Sequence, residues 1–184
     1  MTLSILIPTL TERIVYLDRL LKQINKQIQL LNAKDKVEIL INSDNREKTT
    51  GQKRNELLKQ AKGDYVWFID DDDELYPGAI SAVLEAAKKK PDCMAINGTM
   101  TTNGRNEERW FIAINNTYEK RNGIYYRYPN HITPIKRELA IQIKYPDKTL
   151  GEDFDYATAL KKAKLLKKEE VIRIPVYHYQ YRRK

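Results

Sequence analysis

The sequence lacks several features that would have placed it in a specialised class. Cys93 is the only cysteine, so no disulfide can form within the chain, which favours a reducing compartment. No apolar run approaches the roughly 20 residues that cross a bilayer. The apolar stretch near the N-terminus is broken by Pro8 and follows no basic segment, so we expect no signal peptide. These absences predict a soluble, cytoplasmic protein without an integral membrane segment.

Acidic residues are fewer than basic residues. The chain has 33 Lys and Arg against 25 Asp and Glu, which gives a formal net charge of +8. The cations cluster in residues 88–90, 161–168 and 182–184. Such a balance attracts polyanions, among them nucleic acid, anionic lipid and phosphorylated substrates. A solvated surface explains each cluster taken singly, and only their sum points to a polyanionic partner.

The first half alternates apolar runs with helical spacing. Strands are predicted at residues 3–7 (ended by Pro8), 37–41, 65–69 and 93–96, with helices near 17–31, 57–61 and 80–87. This alternation predicts an α/β fold with a central, mostly parallel sheet flanked by helices. In the less regular second half we predict strands at 109–114, 123–128 and 171–181 and a helix at 152–162. A length of 184 residues suits one domain, residues 1–184.

The carboxyl ends of parallel strands are where such sheets bind ligands. Three segments follow the first three strands, namely residues 8–13, 42–48 and 70–74. The third contains five consecutive acidic residues, Asp70 to Glu74. Adjacent carboxylates repel one another, so a site that keeps them ionised needs a cation, and hard divalent metals fit best. A solvated acidic turn is the alternative, and the position at a strand end favours the metal.

Two further signals lie in the second half. Glu152 and Asp153 follow Gly151 at the start of a predicted helix, where carboxylates gain from the helix dipole. An ordinary acidic first turn explains them, and a general base is the functional interpretation. His131 and His178 are the only histidines, and by themselves they favour neither packing nor function.

Together these segments resemble the family two glycosyltransferases, which have the GT-A fold, over nearly the whole chain. The family's first strand and donor-binding turn are similar to SILIPTLTER, and its second strand is similar to EILINSDNRE. Its helix, Gly-Asp-Tyr turn, strand and DxD motif are similar to GQKRNELLKQAKGDYVWFIDDDDEL, the most specific stretch. Its ED motif resembles GEDFDY. The second-strand turn departs from the family's usual Asp-rich pattern, because it reads Ser43-Asp44-Asn45.

The resemblance implies a role for each candidate residue. Donor-binding residues would be Pro8, Thr9, Glu12, Asp44, Arg54, Asp70 and Asp71. Asp72 and His178 would bind Mn²⁺ or Mg²⁺, Asp153 beside Glu152 would be the catalytic base, and His131 would contact the acceptor or the diphosphate. Residues 1–100 would form the nucleotide-sugar-binding half, and residues 101–184 the half that holds the acceptor and the base. The run of four Asp leaves the DxD register open, and we take Asp70 and Asp72 as the motif.

The implied reaction is inverting transfer from a nucleotide diphosphate sugar, probably a UDP-sugar, to a hydroxyl. Single-sugar transfer is expected, because the Gln-x-x-Arg-Trp signature and membrane helices of processive synthases are not evident. The acceptor is a glycan or a hydroxymethylated base in DNA, in the cytoplasm of a bacterium or of a phage-infected host. Two other classes stay open from the residues alone. They are a metal-dependent nucleotidyltransferase or nuclease, and a non-enzymatic basic binding module.

Overall fold

A computed structural model describes residues 2–181. The basic cluster formed by Arg182, Arg183 and Lys184 lies outside this range. Within the described residues, no helix is both long and apolar enough to cross a membrane.

The first half forms the predicted alternation of strands and helices. Its elements are β1 (Leu3–Leu10), a 3-10 turn (Thr11–Arg13), α1 (Ile14–Leu30), β2 (Val37–Asp44), α2 (Thr50–Gln60), β3 (Tyr65–Phe68), β4 (Glu74–Leu75), α3 (Ala79–Ala87) and β5 (Cys93–Thr102). Helix α2 begins with a capping box, in which the Thr49 hydroxyl accepts from the Gln52 N–H and the Gln52 side chain accepts from the Thr49 N–H.

The second half adds shorter strands and two helices. They are β6 (Arg105–Ile112), β7 (Glu119–Arg121), β8 (Ile124–Arg127), β9 (Ile135–Lys136), α4 (Arg137–Ala140), α5 (Glu152–Ala163) and β10 (Glu169–Tyr181). The four long elements predicted here are present with shifted ends. The short β7, β9 and α4 were not predicted.

All ten strands of the described chain belong to one sheet, in the order β2-β1-β3-β9-β5-β6-β8-β7, with β10 pairing β4 and β5. β1 is parallel to β2 and β3, and β5 is parallel to β10. The two-residue β9 lies antiparallel between β3 and β5, which leaves those strands pointing the same way. The central sheet is therefore mostly parallel, as predicted. The two halves of the chain interleave within it, because β9 and β10 come from the second half.

Strand β1 does not end at Pro8, contrary to the prediction. It continues to Leu10, with Pro8 in register with Asn42 of β2. The Leu6 carbonyl accepts from Ile69 N–H on the β3 side. The backbone N–H and C=O groups of alternate residues point toward the same neighbouring strand, so the backbone nitrogen of Pro8 also points toward β3. Strand β3 has already ended at Phe68. The missing N–H of Pro8 therefore removes no ladder hydrogen bond.

Helices cover both faces of the sheet. On one face Ile5 and Ile7 of β1 pack with apolar residues of α1 and α3, including Leu20 and Val83. On the other face Leu6 of β1 packs with residues of α2 and α5, including Leu57, Leu58, Tyr156 and Leu160. Because β1, β2 and β3 are parallel, their carboxyl ends lie together at one rim of the sheet, where parallel sheets bind ligands.

Candidate active site

A cavity of about 480 Å³ lies at the carboxyl ends of β1, β2 and β3. All three segments predicted from the strand ends contribute to it, through residues such as Thr9, Arg46 and Asp70. The second half contributes His131, Tyr179 and residues 149–153. The three predicted segments therefore meet at one cavity.

Asp70 is at the centre of a buried charge network. One carboxylate oxygen accepts from Arg54 Nη2 at 2.9 Å, and the other lies 3.2 Å from His131 Nε2. Arg54 is itself buried and donates through Nε to Glu152 at 3.2 Å. Burial acts to raise the pKa of Asp70, but the charges of Arg54 and His131 outweigh it and hold the pKa well below its usual range. Asp70 therefore stays ionised, and Arg54 ties the DxD segment to the ED motif.

Asp71 and Asp72 share a single arginine. Asp71 accepts a hydrogen bond from the Thr9 hydroxyl and two from Arg13, at 2.9 Å from Nε and 2.5 Å from Nη2. The same Arg13 Nη2 lies 2.9 Å from Asp72 Oδ2. Asp71 is buried, whereas the Asp72 side chain is 20% exposed and lines the cavity. Asp71 thus anchors the turn to β1, and Asp72 is the more accessible carboxylate.

Asp73 holds the acidic turn from behind. Its carboxylate accepts from the Tyr177 hydroxyl and from Gln180 N–H, both at 2.7 Å, and the residue is fully buried. The Tyr177 oxygen in turn accepts from Asp70 N–H at 3.1 Å. Burial, followed by the neighbouring charge of Asp70, raises the pKa of Asp73. Asp73 is therefore a structural member of the run and does not face the cavity.

These contacts decide how a divalent ion fits the site. Among residues 2–181, no three His, Cys, Asp or Glu side chains are grouped so that they could hold a metal by themselves. Mg²⁺ is usually bound by one or two carboxylates together with substrate phosphates. Asp72, which lines the cavity and has Arg13 as its ion-pair partner, fits such a shared site.

The ring of His178 does not lie alongside Asp72 in the larger cavity. Its Nδ1 lies 2.6 Å from the Thr99 hydroxyl and its Nε2 lies 3.3 Å from the Thr101 hydroxyl. Its neighbour Tyr177 reaches the acidic turn, and successive side chains of a strand point to opposite faces. The ring of His178 lines a different cavity, beside Tyr76. This placement gives the predicted metal-binding role no support.

Asp44 and Glu12, two predicted donor-binding residues, do not line the cavity. Asp44 accepts from Lys53 Nζ at 2.5 Å and from the N–H groups of Arg46 and Lys48. Burial acts to raise the pKa of Asp44, but these hydrogen bonds outweigh it and lower the pKa. Glu12 is exposed and pairs with Arg46. Both carboxylates therefore position cations in the segment beside the cavity.

The ED motif presents one restrained and one accessible carboxylate. Glu152 is buried against Arg54, whereas the Asp153 side chain is 39% exposed and lines the cavity. His131 Nδ1 lies 3.5 Å from Asp153, too far for a hydrogen bond, and has no other hydrogen-bond partner within residues 2–181. Catalytic contacts are often this long before substrate binds. Of the two carboxylates, Asp153 is therefore the one that a ligand in the cavity could reach.

Helix α2 fixes the position of the ED motif. Gly51 N–H donates to the Lys148 carbonyl, and Asn55 exchanges two hydrogen bonds with the backbone of Tyr145. A Cβ on Gly51 would lie 1.9 Å from the Pro146 carbonyl oxygen, so only glycine allows this approach. The segment that leads into α5 is therefore held directly against α2, which carries Arg54.

The prediction missed most of the cations in the cavity. Arg13, Arg46, Lys48 and Lys53 line it together with Arg54. Arg13, Arg46 and Lys48 fall in the predicted strand-end segments, so position was the available signal. A chain with 33 Lys and Arg gave no reason to single them out by residue type.

Comparisons with known proteins agree with this geometry. The sequence model described as Glycosyl transferase family 2 matches residues 42–147, more than half of the chain. A curated relative is the GalNAc(5)-diNAcBac-PP-undecaprenol beta-1,3-glucosyltransferase of Campylobacter jejuni subsp. jejuni serotype O:2. It is 38% identical over 55 residues, which cover 30% of this chain and 18% of that protein.

Solved structures show the same fold. The chain superposes on Staphylococcus aureus TarS 1-349 in complex with UDP with a TM-score of 0.73 and 18% identity, covering 98% of this chain. It superposes on TarS 1-349 in complex with UDP-GlcNAc with a TM-score of 0.69 and 17% identity, covering all of this chain. The chain spans 60% of the length of each TarS structure.

Proposed function

Since the chain belongs to glycosyl transferase family 2, and is therefore a transferase, we propose that it moves one sugar from a UDP-sugar to a hydroxyl group with inversion. The observation that carries this proposal is the meeting of Asp153 with the DxD carboxylates in one cation-lined cavity. The nucleotidyltransferase and binding-module alternatives do not account for the family match.

The donor's diphosphate would lie among the cations. Lys53 and Arg13 line the cavity beside Thr9, and they carry the positive charge that a diphosphate requires. The TarS neighbours bind UDP and UDP-GlcNAc, which supports a uridine donor. Asp70, held by Arg54, would face the ribose or the sugar. Glu12 and Asp44 would act indirectly, by positioning Arg46 and Lys53.

Asp72 would hold the divalent ion, Mn²⁺ or Mg²⁺, together with the diphosphate. When bound there, the ion neutralises charge that develops on the leaving UDP. Arg13 forms an ion pair with Asp72. This ion pair would compete with the metal ion for Asp72 until the donor binds.

Asp153 would accept the proton of the acceptor hydroxyl. The acceptor oxygen forms its bond to the anomeric carbon as the bond from that carbon to the diphosphate oxygen breaks. The electron pair of the broken bond leaves with UDP, and attack from the opposite face inverts the configuration. The Campylobacter relative is named for transfer to a lipid-linked glycan, which supports a glycan acceptor over a hydroxymethylated DNA base.

The experiment that tests this function is calorimetry of UDP binding, with Mn²⁺ or with a chelator, followed by a screen of UDP-sugars for hydrolysis. We expect UDP affinity to depend on the metal and to fall strongly in Asp72→Asn, because neutralising a ligand removes its charge. Asp18→Asn, an exposed change on α1, is the control. Equal UDP affinity with metal and with chelator would exclude the metal role, and no UDP binding would exclude the donor.

A further inference from the structure

A second, smaller cavity adjoins the first at the catalytic base. His131, Asp153 and Tyr179 line both cavities. Asp153 therefore stands at their junction. The smaller cavity has a volume of only about 30 Å³, which suits a single hydroxyl of about the size of a water molecule. It is thus where the acceptor hydroxyl meets the base, if the donor lies in the larger cavity and the rest of the acceptor lies outside.

One part of the wall of this smaller cavity is apolar and fixed. Met100 of β5 and Trp110 and Ile112 of β6 are all buried and line it. The Trp110 indole N–H donates to the Thr99 carbonyl at 2.9 Å, which holds the ring in place. Because Trp110 is only 4% exposed, the ring closes the cavity and offers no open face to a sugar. The selection of an acceptor therefore falls to the polar residues that line the same cavity.

Arg127 is the one full cation at this cavity. It is half-buried at the end of β8 and forms no ion pair with any carboxylate of residues 2–181. Its guanidinium lies 5.9 Å from the centre of the Tyr125 ring. Arg13 and Arg54, by contrast, are each paired with two carboxylates of the donor cavity. A half-buried guanidinium without an anion is stabilised when a ligand supplies one.

We propose that Arg127 binds an anionic group of the acceptor, a phosphate or a carboxylate carried close to the hydroxyl that Asp153 deprotonates. The proposal rests on the proposed function and names the acceptor class of the same site: an acidic glycan. Arg127 binds the anion and so orients the acceptor hydroxyl toward Asp153, which takes the proton as described above. A bidentate guanidinium fits either anion, because both present two oxygens in one plane.

A glycan fits better than duplex DNA because of where the lysine clusters lie. Lys168 Nζ donates to the Lys89 carbonyl, which brings the clusters at 88–90 and 167–168 together. These clusters precede β5 and β10, at the amino ends of the central strands, whereas the cavities lie at the carboxyl ends. A duplex whose base reached Asp153 would therefore not lie on these lysines.

The test is an array that carries neutral glycans, uronic-acid glycans, phosphate-bearing glycans and a hydroxymethylated DNA duplex, incubated with labelled UDP-sugar. We expect label only on acidic glycans, and the two acidic groups on the array identify which anion is used. Label on a neutral glycan, on the duplex, or on nothing while the donor is hydrolysed would overturn the proposal. A protein that neither binds UDP nor hydrolyses any UDP-sugar would instead remove the proposed function, and this inference with it.

Variants of Arg127 then test the residue itself on the labelled glycan. We expect Arg127→Gln to lower kcat/KM for transfer by at least about tenfold, the equivalent of 1.4 kcal/mol. Hydrolysis of the donor should be unchanged, and Arg127→Lys should restore part of the transfer. Arg173→Gln, an exposed change on the distant part of β10, is the matched control. An equal loss of donor hydrolysis, or no change in transfer, would contradict the role of Arg127.

Discussion

At the scale of single residues, the two carboxylates of the ED motif differ in burial and in partners. Glu152 is buried against Arg54, and Asp153 is accessible at the junction of the two cavities. The resemblance named Asp153 as the base, but the sequence alone did not show that Glu152 would be the buried member of the pair. The difference comes from Arg54, which is 98 positions away from Glu152 along the chain.

Replacing Asp153 by Asn should abolish transfer and leave donor binding intact. General-base catalysis typically contributes about 10²–10⁴-fold, so turnover should fall within that range. Steady-state transfer measured beside calorimetric UDP affinity checks both parts. Asp155→Asn is the matched control, because Asp155 lies in the same helical turn, is exposed and pairs with Lys148. Near-normal turnover of Asp153→Asn would remove Asp153 from the role of base.

Replacing Arg54 by Met should destabilise the protein by about 3–5 kcal/mol, because a buried partner of Asp70 and Glu152 is lost. Urea unfolding measures this free energy. The double variant Arg54→Met with Glu152→Gln should recover part of the loss, since it leaves one carboxylate fewer without a partner. Arg46→Gln, which breaks only the exposed pair with Glu12, should have a much smaller effect. Equal effects of the two single variants would refute the network.

At the scale of elements, the long strands and helices could be predicted from local periodicity, and the short ones could not. β9 has only Ile135 and Lys136, and Ile135 pairs with both Val66 and Cys93. Such a strand exists because two distant strands leave a gap between them, and no local pattern records that. The continuation of β1 through Pro8 depends likewise on β3 having ended at Phe68.

The sequence also could not predict which side chains of β10 contact the acidic turn. Tyr177 and His178 are adjacent, and a shift of one residue would exchange their sides. The parallel pairing with β5, which is irregular near Pro175, sets the register that sends Tyr177 to Asp73 and His178 to Thr99. The resemblance suggested a metal-binding histidine here, and only the register shows where its ring lies.

The contact between β10 and the acidic turn predicts a dependence of stability on pH. Because burial raises the pKa of Asp73, the folded chain binds this proton more tightly than the unfolded chain. That contribution is present below the ordinary Asp pKa of about 3.9 and is lost as pH rises through the raised folded value.

The unfolding free energy of the wild type should therefore fall relative to Asp73→Asn as the pH rises above about 4. Urea unfolding of both proteins at several pH values above this point measures the difference. With Asp18→Asn, an exposed change, the corresponding difference should stay constant. A difference for Asp73→Asn that is constant or of opposite sign would contradict the raised pKa.

At the scale of the whole molecule, positive charge is divided between two ends. Paired cations line the larger cavity, while residues 88–90 and 167–168 meet at the opposite end of the sheet. The net charge of +8 is therefore a poor guide to the acceptor, although it was the sequence's main argument for a polyanion. Composition gives a sum, and only the fold shows how the charge is distributed.

Replacing Lys88, Lys89 and Lys90 together by Gln should leave kcat/KM for transfer unchanged, because these residues lie far from both cavities. Transfer kinetics at low and at physiological salt make the measurement. A rate loss that added salt abolishes would show instead that this end of the molecule attracts the acceptor. Arg127→Gln is the positive control, because it should reduce transfer although the lysine clusters are unchanged.

The hydrogen bond between Asp73 and Tyr177 also sets an order of events during synthesis. The two residues are 104 positions apart, and Asp73 is translated first. A ribosome that has made β1 to β5 has supplied every carboxylate of the DxD run, together with Arg13 and Arg54, which hold Asp71 and Asp70. The strand that holds Asp73 is still missing at that point. We therefore expect the acidic turn to reach its final shape in a nascent chain only after β10 has emerged.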